Sequence, residues 1–330
     1  MCSQSQSSQD WNQFFSENPA PANFSVSEEK MANFVSSNQT MPLCLVTSGG
    51  TTVPLEINTV RFVDNFSAGT RGSASAEYFL KNGFAVIFLH REKSLKPFAR
   101  HFSTCDLLTA MEVEDEGNIS IAGDTSIAKH LKPVVENVKK YQNNLCKVSF
   151  TSLSDYLWLL RSASQQLATT AEDNPSVHRL LYLAAAVSDF YIPAIQLPEH
   201  KIQSSQGAPQ VQLQLGRLAE IIILYFQLLV PVLVPKMLKP LVSLWASNCF
   251  VVSFKLETDP DILISKSRSA LETYGHNLVI GNILVTRKRK VVMVTKEGSE
   301  EIVIDDEELK SGFEIEEKIV KKLVEICEKL

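Results

Sequence analysis

Residues 63–83 read V-D-N-F-S-A-G-T-R-G-S-A-S-A-E-Y-F-L-K-N-G. Ser67, Gly69 and Gly72 lead into a helix-periodic run that stops at Gly83, so the pattern predicts a helix capped by Ser67 and closed by a glycine. Gly69, Gly72, Ser73, Ala74 and Ala76 are all small. A helix start without bulky side chains lets an anion reach its unpaired N–H groups, and Arg71 adds a fixed positive charge there. Two readings stay open: an anion site, or a helix pressed tightly onto a sheet.

The elements that would position this stretch follow from hydrophobic patterning. Residues 43–47 form an apolar run ending in Ser48-Gly49-Gly50, a buried first strand with a glycine turn. A plain dinucleotide-binding unit would pass straight into a helix through G-x-G-x-x-G. Here residues 51–66 intervene, a loop at the strand end where open α/β sheets bind ligands. Residues 85–90 are the second strand and complete a parallel βαβ unit. At its end stand His90 and Arg91 where an NAD site wants an acid, which argues against NAD and leaves NADP open.

Further strands are expected at 147–151, 180–187, 250–256 and 277–284, with a hairpin from 291–295 and 301–304. Helices are expected at 25–38, 125–141, 155–171, 260–274 and 313–330. This alternation predicts a doubly wound α/β sheet. Residues 1–24 are rich in Ser, Gln, Asn and Pro and read as a flexible tail before a domain spanning 25–330. Ala184–Ala186 would let a flat ligand press on backbone, or a helix pack close, with Asp189 either a ligand group or a cap. Lys201 alone reads as a solvated loop lysine. Arg287-Lys-Arg-Lys290 reads as a solvated turn.

Other classes are disfavoured. A net charge of −5 argues against nucleic-acid binding. Six cysteines are scattered with no C-x-x-C pair and no zinc spacing, which fits buried, reduced thiols in a cytoplasmic protein. Residues 216–233 form an almost wholly apolar run, too short and too interrupted by Gln227 and Pro231 for a comfortable membrane span, which argues against membrane insertion.

Five motifs in order, V-T-S-G-G-T-T-V-P-L-E, D-N-F-S-A-G-T-R-G, A-A-A-V-S-D-F-Y, P-E-H-K-I-Q-S-S and S-F-K-L-E-T-D, resemble the eukaryotic phosphopantothenate–cysteine ligases of coenzyme A biosynthesis. The resemblance runs from about residue 25 to the C-terminus. It implies a single Rossmann-like α/β domain with a mostly parallel, helix-flanked sheet, a small dimerisation hairpin region and a homodimer. It implies ATP and Mg²⁺, 4′-phosphopantothenate and cysteine as substrates, and an acyl-adenylate intermediate.

Carried across residue by residue, the resemblance makes Asn65 and Lys201 catalytic. It puts Gly49, Gly50, Ser67, Gly69, Gly72, Ala185, Ala186, Asp189, Phe254 and Lys255 around the nucleotide. Arg71 and Asn282, with Asn65, fall to substrate binding, and no protein metal site is implied. Residues 216–233 depart from the family pattern and read as an insert. Rival readings are an NADP-dependent reductase, which lacks its G-x-x-x-G-x-G and Y-x-x-x-K pattern, and a catalytically dead variant inactivated by the insert.

Overall fold

The computed structural model describes residues 5–114, 117–121, 126–203, 210–211, 228–229 and 232–329. Leu43–Ser48 (β1) is buried at every position, as a strand covered on both faces requires. Ala85–Arg91 (β2), Leu145–Phe150 (β3), Arg179–Leu183 (β4), Phe250–Glu257 (β5) and Leu278–Ile283 (β6) lie parallel to it. Lys290–Val294 (β7) and Ser299–Val303 (β8) add an antiparallel hairpin, giving the order β8-β7-β6-β5-β4-β1-β2-β3. The chain runs outward from β1 through β2 to β3, then returns to β1's other side and runs out through β4, β5 and β6. That reversal opens a crevice at the carboxyl ends of β1 and β4. Exposed Glu300 and Glu301 discourage pairing at the β8 edge.

Ser5–Glu17 (α1), Phe24–Ser37 (α2) and Leu153–Asp173 (α5) cover one face of the sheet. Thr70–Lys81 (α3) and Ile315–Cys327 (α7) cover the other, burying Phe79, Leu80, Ile319 and Leu323. Ser126–Tyr141 (α4) lies towards the α3 face, where Val134 and Tyr141 pack on that core. Leu263–Tyr274 (α6) packs over β6 and β7. Arg100 joins Glu77 of α3 to Glu314 at the start of α7, at 2.8 and 2.5 Å. Among the described residues, no helix is long and apolar enough to cross a membrane.

Two expectations are corrected. Residues 1–24 are not a free tail where described: Phe14 and Phe15 of α1 are buried, against Tyr191 and Trp158 respectively. The guanidinium of Arg161 lies over the rings of Trp11, Phe15 and Trp245, so aromatic and cation–π contacts hold α1 down. A polar composition hid three large aromatic residues, Trp11, Phe14 and Phe15, placed on one helix. The second correction concerns α3, which begins at Thr70 with Gly69 as N-cap in the left-handed region (φ 81°), not with Ser67. Ser67 Oγ instead accepts from the Gly69 N–H at 3.3 Å.

Candidate active site

The crevice is built by zipping the ends of β1 and β4 together beyond the regular strands. Ala186 donates to the Gly49 carbonyl at 2.8 Å, and Thr51 donates back to the Ala186 carbonyl at 3.1 Å. Thr47 Oγ1 accepts from the Ala185 N–H, and Thr51 Oγ1 accepts from Ser188 N–H. Four expected residues, Gly49, Gly50, Ala185 and Ala186, therefore form one rigid floor, and Asp189 stands exposed just beyond it.

The intervening loop is a hairpin, Thr52–Pro54 paired with Phe62–Asp64. It returns Asn65 to the floor, where its N–H donates to the Thr51 carbonyl at 3.1 Å. A Cβ on Gly50 would stand 1.7 Å from the Asn65 carbonyl oxygen. A Cβ on Gly72 would meet Ser48 Oγ at 2.5 Å, and one on Gly49 would meet Arg91 Cβ at 2.7 Å. Close packing thus explains these glycines, and it draws the start of α3 against the end of β1. The same approach leaves that helix start at the crevice, so packing and anion binding are compatible uses of one feature.

Arg71 does not face the crevice. It pairs with Glu316 of α7 at 2.8 Å and donates to the Arg287 carbonyl at 2.5 Å. Its charge is spent on holding α3 to the C-terminal helix, contrary to the expectation of a free cation for substrate. Burial raises the Glu316 carboxyl's pKa, with Arg71 working in the opposite direction. Arg91 is likewise engaged, with Asp64 at 2.6 Å, and His90 is buried and stacked on Phe88. The pair that left NADP open is therefore committed to the hairpin and the core.

Lys201 is exposed, on a segment fastened to the hairpin tip. Ile57 and Asn58 donate to the carbonyls of Pro198 and Glu199, and Arg61 donates to the Ile202 carbonyl. Glu56, wholly buried, was missed from sequence. Its carboxylate accepts from Val60, Arg61 and Ile202 backbone amides and from the Arg61 guanidinium. Burial raises its pKa, but those donors outweigh burial and hold it below the ordinary carboxylate range. The signal was present as an acid followed five residues later by Arg61, an opposite charge within one short loop.

Beside the floor, across β4 and β5, lies a cavity of about 430 Å³. Ala185, Asp189 and Phe254 line it, together with Ser253, Tyr156 and Lys236, which sequence reasoning did not single out. Burial pushes the Tyr156 phenol up to about 12, against a Thr47 hydrogen bond that lowers it. Phe254 meets Tyr182 edge-on at 4.9 Å. Lys255 lies near Glu257 at 3.6 Å, and the Asn282 amide donates to the Lys255 carbonyl at 2.9 Å. Asn282 thus joins β5 to β6 behind the site. Among the described residues no group of three or more His, Cys, Asp or Glu could hold a metal.

The 216–233 stretch lies largely outside the described residues. Its exit does not: Val232–Leu233 pairs antiparallel with Phe190–Tyr191, and Val234 donates to the Asp189 carbonyl at 2.9 Å. Leu233 and Val234 form part of the cavity wall.

Over 312 residues the chain is 42% identical to the phosphopantothenate–cysteine ligase of Mus musculus, covering 92% of this chain and 93% of that one. The chain belongs to the phosphopantothenate–cysteine ligase family. The Saccharomyces cerevisiae ligase CAB2 is 42% identical over 293 residues, covering 86% of this chain and 77% of that one. Residues 42–128 match the DNA/pantothenate metabolism flavoprotein C-terminal domain. A Cab2 mutant solved in complex with phosphopantothenate-cysteine superposes with a TM-score of 0.79 at 38% identity, covering 96% of this chain and 97% of that one. A DNA/pantothenate metabolism flavoprotein from Streptococcus pneumoniae shares the fold, with a TM-score of 0.54 at 18% identity, over 88% of this chain and 99% of that one. Within the family fold, the 42–128 match includes β1, the hairpin, α3 and β2, one side of the crevice; β4 and Ala185–Ala186 lie beyond it.

Proposed function

We propose that this chain joins 4′-phosphopantothenate to L-cysteine using ATP, through an acyl-adenylate, and releases AMP and pyrophosphate. The observation that carries the reading is full-length similarity to named phosphopantothenate–cysteine ligases, together with the convergence of the crevice residues. The substrate carboxylate attacks the α-phosphate of ATP and expels pyrophosphate. The cysteine amine then attacks the acyl carbonyl and expels AMP. No protein nucleophile is needed, so the enzyme's work is positioning and charge stabilisation.

In this reading the helix start behind Ser67 and Gly69 takes phosphate, and the Asn65 amide donates to the activated acyl oxygen. Lys201 supplies positive charge as pyrophosphate departs. Ala185, Ala186 and Phe254 bound the nucleoside, with Lys255 and Asn282 behind it. Arg71 acts through Glu316 to hold α3. Mg²⁺ would arrive on the nucleotide phosphates, and the exposed Asp189 carboxylate fits as its single protein-side contact, since magnesium keeps most of its water.

We further propose a homodimer in the cytoplasm. Ile57, Val60, Phe62, Val63 and Phe66, on the hairpin and its exit, are each half exposed or more, apolar surface that a second copy would cover. The buried, free thiols of Cys44, Cys146, Cys249 and Cys327 suit a reducing compartment. The test is to supply ATP, magnesium, 4′-phosphopantothenate and cysteine and to follow AMP. AMP release that depends on phosphopantothenate supports the reading; a folded chain releasing none overturns it. Sedimentation of the same sample tests the dimer.

A further inference from the structure

His276 is fully buried, and its Nε2 lies 2.7 Å from Ser253 Oγ. Its other ring nitrogen, Nδ1, is buried with no hydrogen-bond partner. Burial lowers the ring's pKa to about 4, so it is neutral at physiological pH and carries one proton. A proton on Nδ1 would leave a buried N–H without an acceptor. A proton on Nε2 leaves only an unpaired lone pair, and an orphaned donor is the rarer arrangement. The Nε2–H tautomer therefore donates to Ser253 Oγ, which frees the serine's own proton to point elsewhere.

Ser253 lines the cavity beside Phe254. Leu157, Leu160, Leu183 and Leu241 make much of the cavity wall apolar, with Lys236 and Asp189 also in the lining, and an apolar wall carrying a few polar groups suits a nucleobase. A heteroaromatic ring entering the cavity loses water from its nitrogen acceptors and needs a donor in return.

We propose that Ser253, oriented by His276, is the donor through which this cavity reads a ring-nitrogen acceptor of the purine of bound ATP. The inference rests on the ligase reading for the identity of the nucleotide. It is tested by binding rather than turnover, so the two can fail separately. Calorimetric titration of the full chain with ATP is compared with Ser253→Ala and Ser253→Thr. Ser253→Ala weakens ATP about tenfold, Ser253→Thr restores it, and phosphopantothenate binds both variants as it binds the parent.

The panel 1-deaza-, 3-deaza- and 7-deaza-ATP identifies the acceptor. One of these binds the parent chain about tenfold more weakly than ATP, and that difference vanishes in Ser253→Ala. A variant that merely loosened the cavity would keep it. The ¹⁵N shifts of His276 report the proton on Nε2. Unchanged ATP affinity in Ser253→Ala, deaza penalties that persist in it, a loss confined to phosphopantothenate, or a proton on Nδ1 would each overturn the assignment.

Discussion

The Glu56 carboxylate accepts a hydrogen bond from the Ile202 backbone amide across 146 positions of sequence, at 3.4 Å. The contact fastens a buried carboxylate to the residue that follows Lys201 in the chain. Glu56 is a positioning residue: it fixes the hairpin tip and the 198–202 segment as one body. Glu56→Gln is expected to lower the unfolding midpoint at pH 7 and to cut AMP release about tenfold or more, with little change in ATP affinity. The sign with pH follows from the depressed carboxyl. Its stabilisation is complete above the unfolded value of about 4.3 and is lost as pH falls through the lower folded value. The stability gap between parent and variant therefore closes in acid. A gap that held constant down to pH 3 would show the charge to be irrelevant.

The Asn65 backbone is fixed by its N–H to Thr51 and by the close approach of its carbonyl to Gly50, and among the described residues its side chain makes no hydrogen bond, so the side chain can be changed without loosening the hairpin. Asn65→Ala is expected to leave the circular dichroism spectrum and unfolding midpoint unchanged and to reduce turnover by about 10²-fold or more, as loss of an oxyanion donor does. Near-normal turnover would remove Asn65 from the chemistry.

Gly50 and Gly83 form a matched pair of tests. A Cβ at Gly50 collides with the Asn65 carbonyl, whereas Gly83 faces open space and has only its positive φ of 82° to lose. Gly50→Ala is expected to cost about 1–3 kcal/mol or more through overpacking and to abolish turnover. Gly83→Ala should destabilise modestly and leave kcat intact. Equal effects on kcat would mean that Asn65 is not set by contact with the strand end.

The N-terminal helix is a structural part of the fold. Phe14→Ala is expected to cost about 3–5 kcal/mol by denaturant titration, the range for emptying a buried aromatic site. A free tail would give no measurable change. Because Phe14 meets Tyr191, whose strand partner Val232 leads directly into the cavity wall, ATP binding should also weaken.

Deleting residues 216–233 would bring Leu215 next to Val234. Gln214 and Leu215 would then take the places opposite Tyr191 and Phe190, preserving a strand beside Asp189. We expect the shortened chain to fold and to release AMP at least as fast as the full chain. Loss of folding on deletion would make the segment an integral element of this protein.

Much of the architecture is legible because its signal is local. The strands at 43–47 and 85–90 are short apolar runs bounded by glycine and polar residues, and each lies within a residue of the observed strand. The glycines at 49, 50, 69 and 72 mark close approach, which sequence can flag without naming the partner. Illegible features all depend on distant pairing. Arg71 reads as a phosphate ligand until Glu316 is brought against it, and Glu56 reads as an ordinary loop acid until Ile202 arrives. His276 has no motif at all; only its burial beside Ser253 gives it meaning. Strand β4 ends at Leu183 rather than 187 because the small residues after it leave the regular ladder to zip against Gly49 and Thr51.

The contact of Trp11 with Trp245 has a consequence for biosynthesis. Helix α1 leaves the ribosome long before its seat is finished, which happens only when residue 245 emerges. At about 5–20 residues per second, the roughly 230 residues between them take on the order of ten to fifty seconds to make. Through that interval the seat is incomplete: Trp158 and Tyr191 arrive before Trp245, and until all three are present the nascent chain carries a partly unsheltered aromatic helix of the kind that holdase chaperones shield.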